Sequence, residues 1–193
     1  MQNETKIAAI DNDFVNKLVE CKLNDETLLQ RIKTILFELN LSTVMHPLVY
    51  EKELLIKKKR AALFFERQII HKMEFSEILQ EDPERINYYI YLVGVLYEKL
   101  TGTVLPVFGE EVLTYWAYRE NLGEIHSVTM CVVCGYGVFL SDDGDSKILR
   151  EKLRDDSIAT IDVYDRKELV EKHLQEGETI IPRTERRQLA HSL

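Results

Sequence analysis

The chain has 193 residues, 45% of them hydrophobic and 9% aromatic, and a formal net charge of −8. That length and apolar content suffice to bury a core in one globular domain, while the acidic balance argues against a protein that wraps duplex nucleic acid electrostatically. No apolar run approaches the roughly 20 residues of a spanning helix, and Met1 to Lys6 runs into a strand without a signal-peptide core, so the expected compartment is the cytoplasm.

Lys6 to Ile10 is a short β-branched apolar run that reads as a strand, and Asp11-Asn12-Asp13 supplies the polar turn and cap of a helix to about Glu20. Asp25 can cap a second helix, with Leu28, Leu29, Ile32, Ile35, Leu36 and Leu39 at helical spacing, before Leu41 to Met45 returns as a strand. His46-Pro47 ends it, and Pro47 suits the first turn of another helix. Leu48 to Met73 reads as helical, interrupted by the basic block Lys57-Lys58-Lys59-Arg60, which is either a solvated helix face or a contact for a nucleic-acid backbone. Glu74 to Leu100 adds helix capped near Asp82-Pro83, with Tyr88, Tyr89, Tyr91 and Tyr97 at a spacing that favours core or interface over base stacking.

Thr101-Gly102-Thr103 breaks that helix, and Gly109 to Glu120 resumes it around Trp116. Gly123 to Cys134 reads as an apolar helix stopped by Gly135, Val138 to Leu140 as a buried strand, and Asp142 onward as an acidic turn. A further strand at Ile158 to Val163 precedes a last helix from Asp165 or Arg166, and a basic tail from Gly177 carries Arg183, Arg186 and Arg187. Strands alternating with helices predict an α/β domain with a parallel sheet covered by helices. Of the three cysteines, Cys131 and Cys134 lie at the end of an apolar helix, so reduced core thiols are expected rather than a redox pair or a zinc site. A phosphate-cradling Gly-rich loop with Lys-Ser/Thr is absent from the sequence.

The chemistry-bearing groups are carboxylates: Asp11 and Asp13 after the first strand, Glu124 in the first turn of an apolar helix, and Asp142-Asp143 after the strand Val138 to Leu140. In a parallel α/β sheet the carboxyl ends of the strands share one rim, so these groups can meet. Converging carboxylates repel unless a cation sits between them, which points to Mg²⁺ or Mn²⁺ and to phosphate chemistry. Each also has a structural reading: Asp11 as a helix cap, Glu124 as a complement to a helix dipole, Asp142 to Asp145 as a turn.

Three segments in order, Ile10-Asp11-Asn12-Asp13-Phe14, His46-Pro47-Leu48-Val49-Tyr50-Glu51-Lys52-Glu53-Leu54, and Gly123-Glu124-Ile125-His126-Ser127 through Ser141-Asp142-Asp143, resemble the PIN-domain family of metal-dependent nucleases. The resemblance implies a three-layer PIN-like domain over 1–193, with the helical middle, about 61–108, as an insertion or enlarged layer and a basic tail at about 177–193. It implies hydrolysis of RNA phosphodiester bonds by water activated on one or two ions of Mg²⁺ or Mn²⁺. Asp11, Glu124 and Asp142 would be the catalytic metal ligands, with Asp145 or Asp143 as a fourth acidic group and Glu53 as a further one; Glu51 competes with Glu53 for that place. Lys57, Lys58, Lys59 and Arg60 would hold the nucleic acid. Family members often act as toxins neutralised by a small antitoxin, so RNA, an antitoxin-like protein and a second copy of the chain are the expected partners. Asp13 departs from the pattern, standing where the family more often has a small neutral residue. A PIN-like binding protein without activity is one alternative. Another is a phosphatase resembling the haloacid-dehalogenase family, with Asp11 as nucleophile, Asp13 as acid/base and Asp142-Asp143-Gly144-Asp145 as the metal motif, although a lysine just before that motif is missing.

Overall fold

The computed structural model of the chain describes residues 5–54, 59–117 and 121–191. Its strands β1 (Lys6–Ile10), β2 (Leu41–Met45), β3 (Ile70–Lys72), β4 (Val138–Leu140) and β5 (Asp162–Tyr164) form one sheet in the order β3-β2-β1-β4-β5, every pair parallel. Parallel neighbours need long crossovers, and helices fill them, so both sheet faces are covered. Alternation along the strands divides the core in two: Ala8, Ile10 and Met45 point to one face, Ala9 and Val44 to the other.

Helices α1 (Asn12–Val19) and α2 (Asp25–Glu38) cover the first face, with Phe14, Val15, Leu18, Leu28, Ile32 and Ile35 buried at helical spacing. β2 leads through the N-cap His46 into α3 (Pro47–Val49), which continues as a π-helical turn, Tyr50–Leu54. α4 (Lys59–Glu66) precedes β3, and α5 (Phe75–Leu79), α6 (Pro83–Thr101) and α7 (Glu111–Thr114) follow it. α8 (Leu122–Cys134) joins α6 on the second face through Ile125, Val128, Met130, Tyr89, Val93 and Leu96. α9 (Gly144–Asp155) packs there too, whereas α10 (Arg166–Glu176) and α11 (Arg183–Ala190) return to the first face. The result is a three-layer α/β arrangement. Among the described residues no helix is long and apolar enough to cross a membrane.

The stretch expected to be helical to Met73 ends instead in strand β3, paired Thr43 to Ile70 and Met45 to Lys72. Only Ile70 of its three residues is buried, so the edge strand carries no apolar alternation of its own. The region 61–108 therefore contributes a strand to the sheet and is not purely a helical insertion. Asp142 onward is a turn only as far as Asp143, which caps α9; that helix buries just Ser146, Leu149 and Leu153 and is otherwise too polar to announce itself. Of the strand expected at Ile158 to Val163, only Asp162 and Val163 are in β5, which runs on to Tyr164. Within Gly109 to Glu120 only α7 is helical among the described residues, and the basic tail from Gly177 contains α11.

Candidate functional site

β1 is central; the chain leaves it for β2 and β3 on one side and later returns to place β4 on the other. The connections at the carboxyl ends of β1 and β4 therefore diverge, and such a switch point is where parallel α/β sheets as a class form their ligand-binding crevice. Asp11 is the first residue beyond β1. Its backbone N–H donates to the Leu140 carbonyl at 2.9 Å, prolonging the β1–β4 ladder by one step. Its carboxylate then caps α1, with Oδ1 accepting from the Asn12 N–H at 2.6 Å and Oδ2 from the Ser141 hydroxyl at 3.3 Å.

Ser141 connects both sides of the crevice. Besides donating to Asp11, its oxygen accepts from the Asp143 N–H at 3.1 Å and from the Ser146 hydroxyl at 2.8 Å. Asp143 caps α9 by accepting from the Asp145 N–H at 2.8 Å, and Asp145 accepts from the Asn121 side chain at 2.7 Å, which anchors it beside the start of α8.

The first turn of α8 carries Gly123 and Glu124. A Cβ on Gly123 would stand 2.7 Å from Glu53 Oε1, so a larger residue there would displace the Glu53 carboxylate, which lies against the helix. Glu53 reaches that place from the π-helical turn, whose wider spiral is a common device where a side chain must be aimed. Glu51 lies apart from it, at the exposed edge, with its carboxylate 3.1 Å from Lys72 Nζ.

Charge accumulates as a result. Asp11 is 1% exposed, and burial, followed by the negative charges of Glu124, Glu53 and Asp13, holds its carboxyl well above the usual carboxylate range. Burial, opposed by a backbone hydrogen bond and reinforced by Glu53, Asp143 and Asp13, pushes Glu124 up to about 7. Asp145 is raised by burial and by Asp143. Four segments far apart in the chain thus place Asp11, Asp13, Glu53, Glu124 and Asp143 within electrostatic reach of one another.

Asp142 is not among them. Arg166 donates to it from its backbone N–H at 3.0 Å and from Nε, and the pair is nearly buried, with side-chain exposures of 6% and 9%. Arg166 also donates to the carbonyls of Lys17 and Leu189, so Asp142 belongs to a structural clamp between α1, α10 and α11. Of the basic block, Lys57 and Lys58 lie outside the described residues and Lys59 is exposed. Arg60 is engaged by the carbonyls of Val19, Cys21 and Leu23 and by Asp25, which makes it a staple of the α1–α2 connection and not a phosphate ligand.

Among the described residues no three His, Cys, Asp or Glu side chains stand close enough to hold an ion as they are placed. The donor set nevertheless suits a hard divalent cation: carboxylates only, in a crevice where a glycine makes room for one of them. Sequence reasoning missed Ser141 and Asn121, whose hydroxyl and amide steer Asp11 and Asp145; only the adjacency of Ser141 to the aspartate pair hinted at the first. Compared with known proteins, the chain matches no family model, no curated protein and no solved structure.

Proposed function

We propose that the protein is a metal-dependent ribonuclease whose site is the acidic crevice between β1 and β4. One observation carries this reading: Asp11, Glu53 and Glu124, from three remote segments, lie within electrostatic reach of one another at the switch point of a parallel sheet, and burial together with neighbouring carboxylates pushes the Asp11 and Glu124 carboxyls up. Such an arrangement costs folding free energy, and a divalent cation offsets it. Asp11, Glu53 and Glu124 would hold Mg²⁺ or Mn²⁺, with Asp143 and Asp145 as further ligands. The ion would supply a water of lowered pKa and neutralise charge growing on the phosphate oxygens.

The chain's own groups do the positioning. Ser141 and the Asn12 N–H fix the plane of the Asp11 carboxylate, Asn121 fixes Asp145, and Gly123 leaves the space that Glu53 enters. A side-chain nucleophile is not required.

The reading is tested by incubating a mixed single-stranded RNA with the protein in Mn²⁺ or in EDTA, beside Asp11→Asn and Glu124→Gln. Cleavage in Mn²⁺ alone, reduced at least about 100-fold by either substitution in proteins of unchanged circular dichroism, is expected. Cleavage that survives EDTA or Asp11→Asn, or none with any divalent ion, would falsify it.

A further inference from the structure

Behind the crevice lies a polar chain shut off from water. His46, Tyr89 and His126 are each 0% exposed, and the Tyr89 hydroxyl stands 2.8 Å from His46 Nε2 and 2.7 Å from His126 Nδ1. Donor and acceptor roles follow from one end. The Leu48 N–H donates to His46 Nδ1 at 3.2 Å, so that nitrogen carries a lone pair and Nε2 carries the hydrogen. His46 Nε2–H therefore donates to Tyr89, whose own hydrogen is left for His126 Nδ1. The hydrogen of His126 falls on Nε2, which makes no well-formed hydrogen bond and has only the Tyr115 backbone as a weak partner. The two imidazoles stack at 5.2 Å between centroids, and Phe75 closes the edge of His46 at 5.3 Å.

The three residues come from elements that have no other reason to share a polar contact. His46 is the N-cap of α3, which runs on into the turn bearing Glu53. His126 lies on α8, one turn beyond Gly123 and two residues beyond Glu124, and Tyr89 on α6 packs against α8. An apolar trio of the same shape would fill the volume without leaving buried nitrogens that need partners, so the hydroxyl adds direction to the packing.

We propose that Tyr89 is a positioning residue: its hydroxyl, bound at once to His46 and His126, sets the spacing between the turn that carries Glu53 and the first turn of α8 that carries Gly123 and Glu124. The role serves the ribonuclease site proposed above and deepens that reading. It requires the tie to be specific, because loss of one hydroxyl leaves two buried nitrogens unsatisfied and frees α3 from α8.

Tyr89→Phe removes the single oxygen and keeps the ring. Its crystal structure, solved without metal, should show the Glu53 carboxylate withdrawn from Gly123 by about 1 Å. In the RNA assay kcat should fall about 100-fold while KM stays within about twofold, since a misplacement of that size at a reacting centre costs about that much. Leu96→Ala, which opens a cavity on the same helix and destabilises the fold, should change neither. Should Tyr89→Phe fail to fold, His46→Asn cuts the same tie while keeping a capping oxygen for the Leu48 N–H. A Glu53 that stays against Gly123, or equal loss of kcat in Leu96→Ala, overturns the positioning role. The structural arm uses neither metal nor RNA, so its failure leaves the ribonuclease reading standing. Absence of cleavage by the parent removes that reading and leaves the structural arm to decide the tie.

Discussion

Asp142 and Asp143 are adjacent carboxylates with opposite surroundings: the first is bound on both oxygens by Arg166, the second caps α9 and adds to the negative field at Glu124. Replacing Arg166 with Met should therefore strand a nearly buried charge and cost about 3–5 kcal/mol in urea unfolding, far more than an exposed pair is worth. A loss below about 1 kcal/mol would show the clamp to be dispensable. Glu124 offers a test of the crevice itself. Its carboxyl titrates near 7 in the folded chain against 4.5 when unperturbed. Below about 4.5 both folded and unfolded states hold the proton; between about 4.5 and 7 only the folded state does, so stability falls as pH rises through that window and is lowest above it. Glu124→Gln should flatten the dependence of Tm on pH over the window, and an unchanged slope would place Glu124 in an ordinary environment. Which of two neighbouring aspartates turns inward was not legible in the sequence, because a dipeptide states composition and the direction of each side chain depends on a partner, Arg166, that lies more than 20 residues away.

At the scale of elements, legibility followed apolar patterning. β1, β2, β4, α2 and α8 each bury a continuous or periodic set of aliphatic residues and were readable as such. β3 and α9 were not: a three-residue edge strand is defined by its hydrogen bonds to β2, and a helix with three buried positions differs little from a solvated loop. The end of α10 shows a contact that only the folded chain reveals. Glu38, on α2, accepts from the Thr179 hydroxyl, from the Thr179 backbone N–H at 3.0 Å, from His173 Nε2 at 2.8 Å and from the Glu178 N–H at 2.8 Å, and these bonds, the Thr179 pair foremost, hold its carboxyl down at about 2. Gly177 passes through this knot with an ordinary φ of −81°, so space rather than backbone conformation demands glycine. A Cβ there would meet the buried His173 ring at 2.6 Å and Glu38 Oε2 at 2.7 Å. Gly177→Ala should lower the unfolding free energy by about 1–3 kcal/mol, as overpacking does. A protein of parental urea midpoint would mean that the α2–α10 junction yields freely.

Over the whole molecule, carboxylates from four remote segments gather at the β1–β4 switch point, and the proposed metal site makes opposite demands on stability with and without an ion. Burial and mutual repulsion at Asp11 and Glu124 destabilise the ion-free fold, so Asp11→Asn should raise Tm when no divalent cation is present. Mn²⁺ at 100 times its dissociation constant should stabilise the parent by about 2.7 kcal/mol, which for a chain of this length is roughly 5–10 °C in Tm. In Asp11→Asn the same addition should leave Tm nearly unchanged, so the two proteins exchange order along a Mn²⁺ titration. General screening, with a Debye length of about 8–10 Å, can narrow the gap between the two proteins but cannot carry the parent past the variant, because at most it cancels the repulsion that the substitution already removes. Sodium chloride at matched ionic strength supplies the comparison: an equal rise in Tm with the monovalent salt, or parallel curves for parent and variant in Mn²⁺, would reduce the acidic crevice to surface charge without a bound ion.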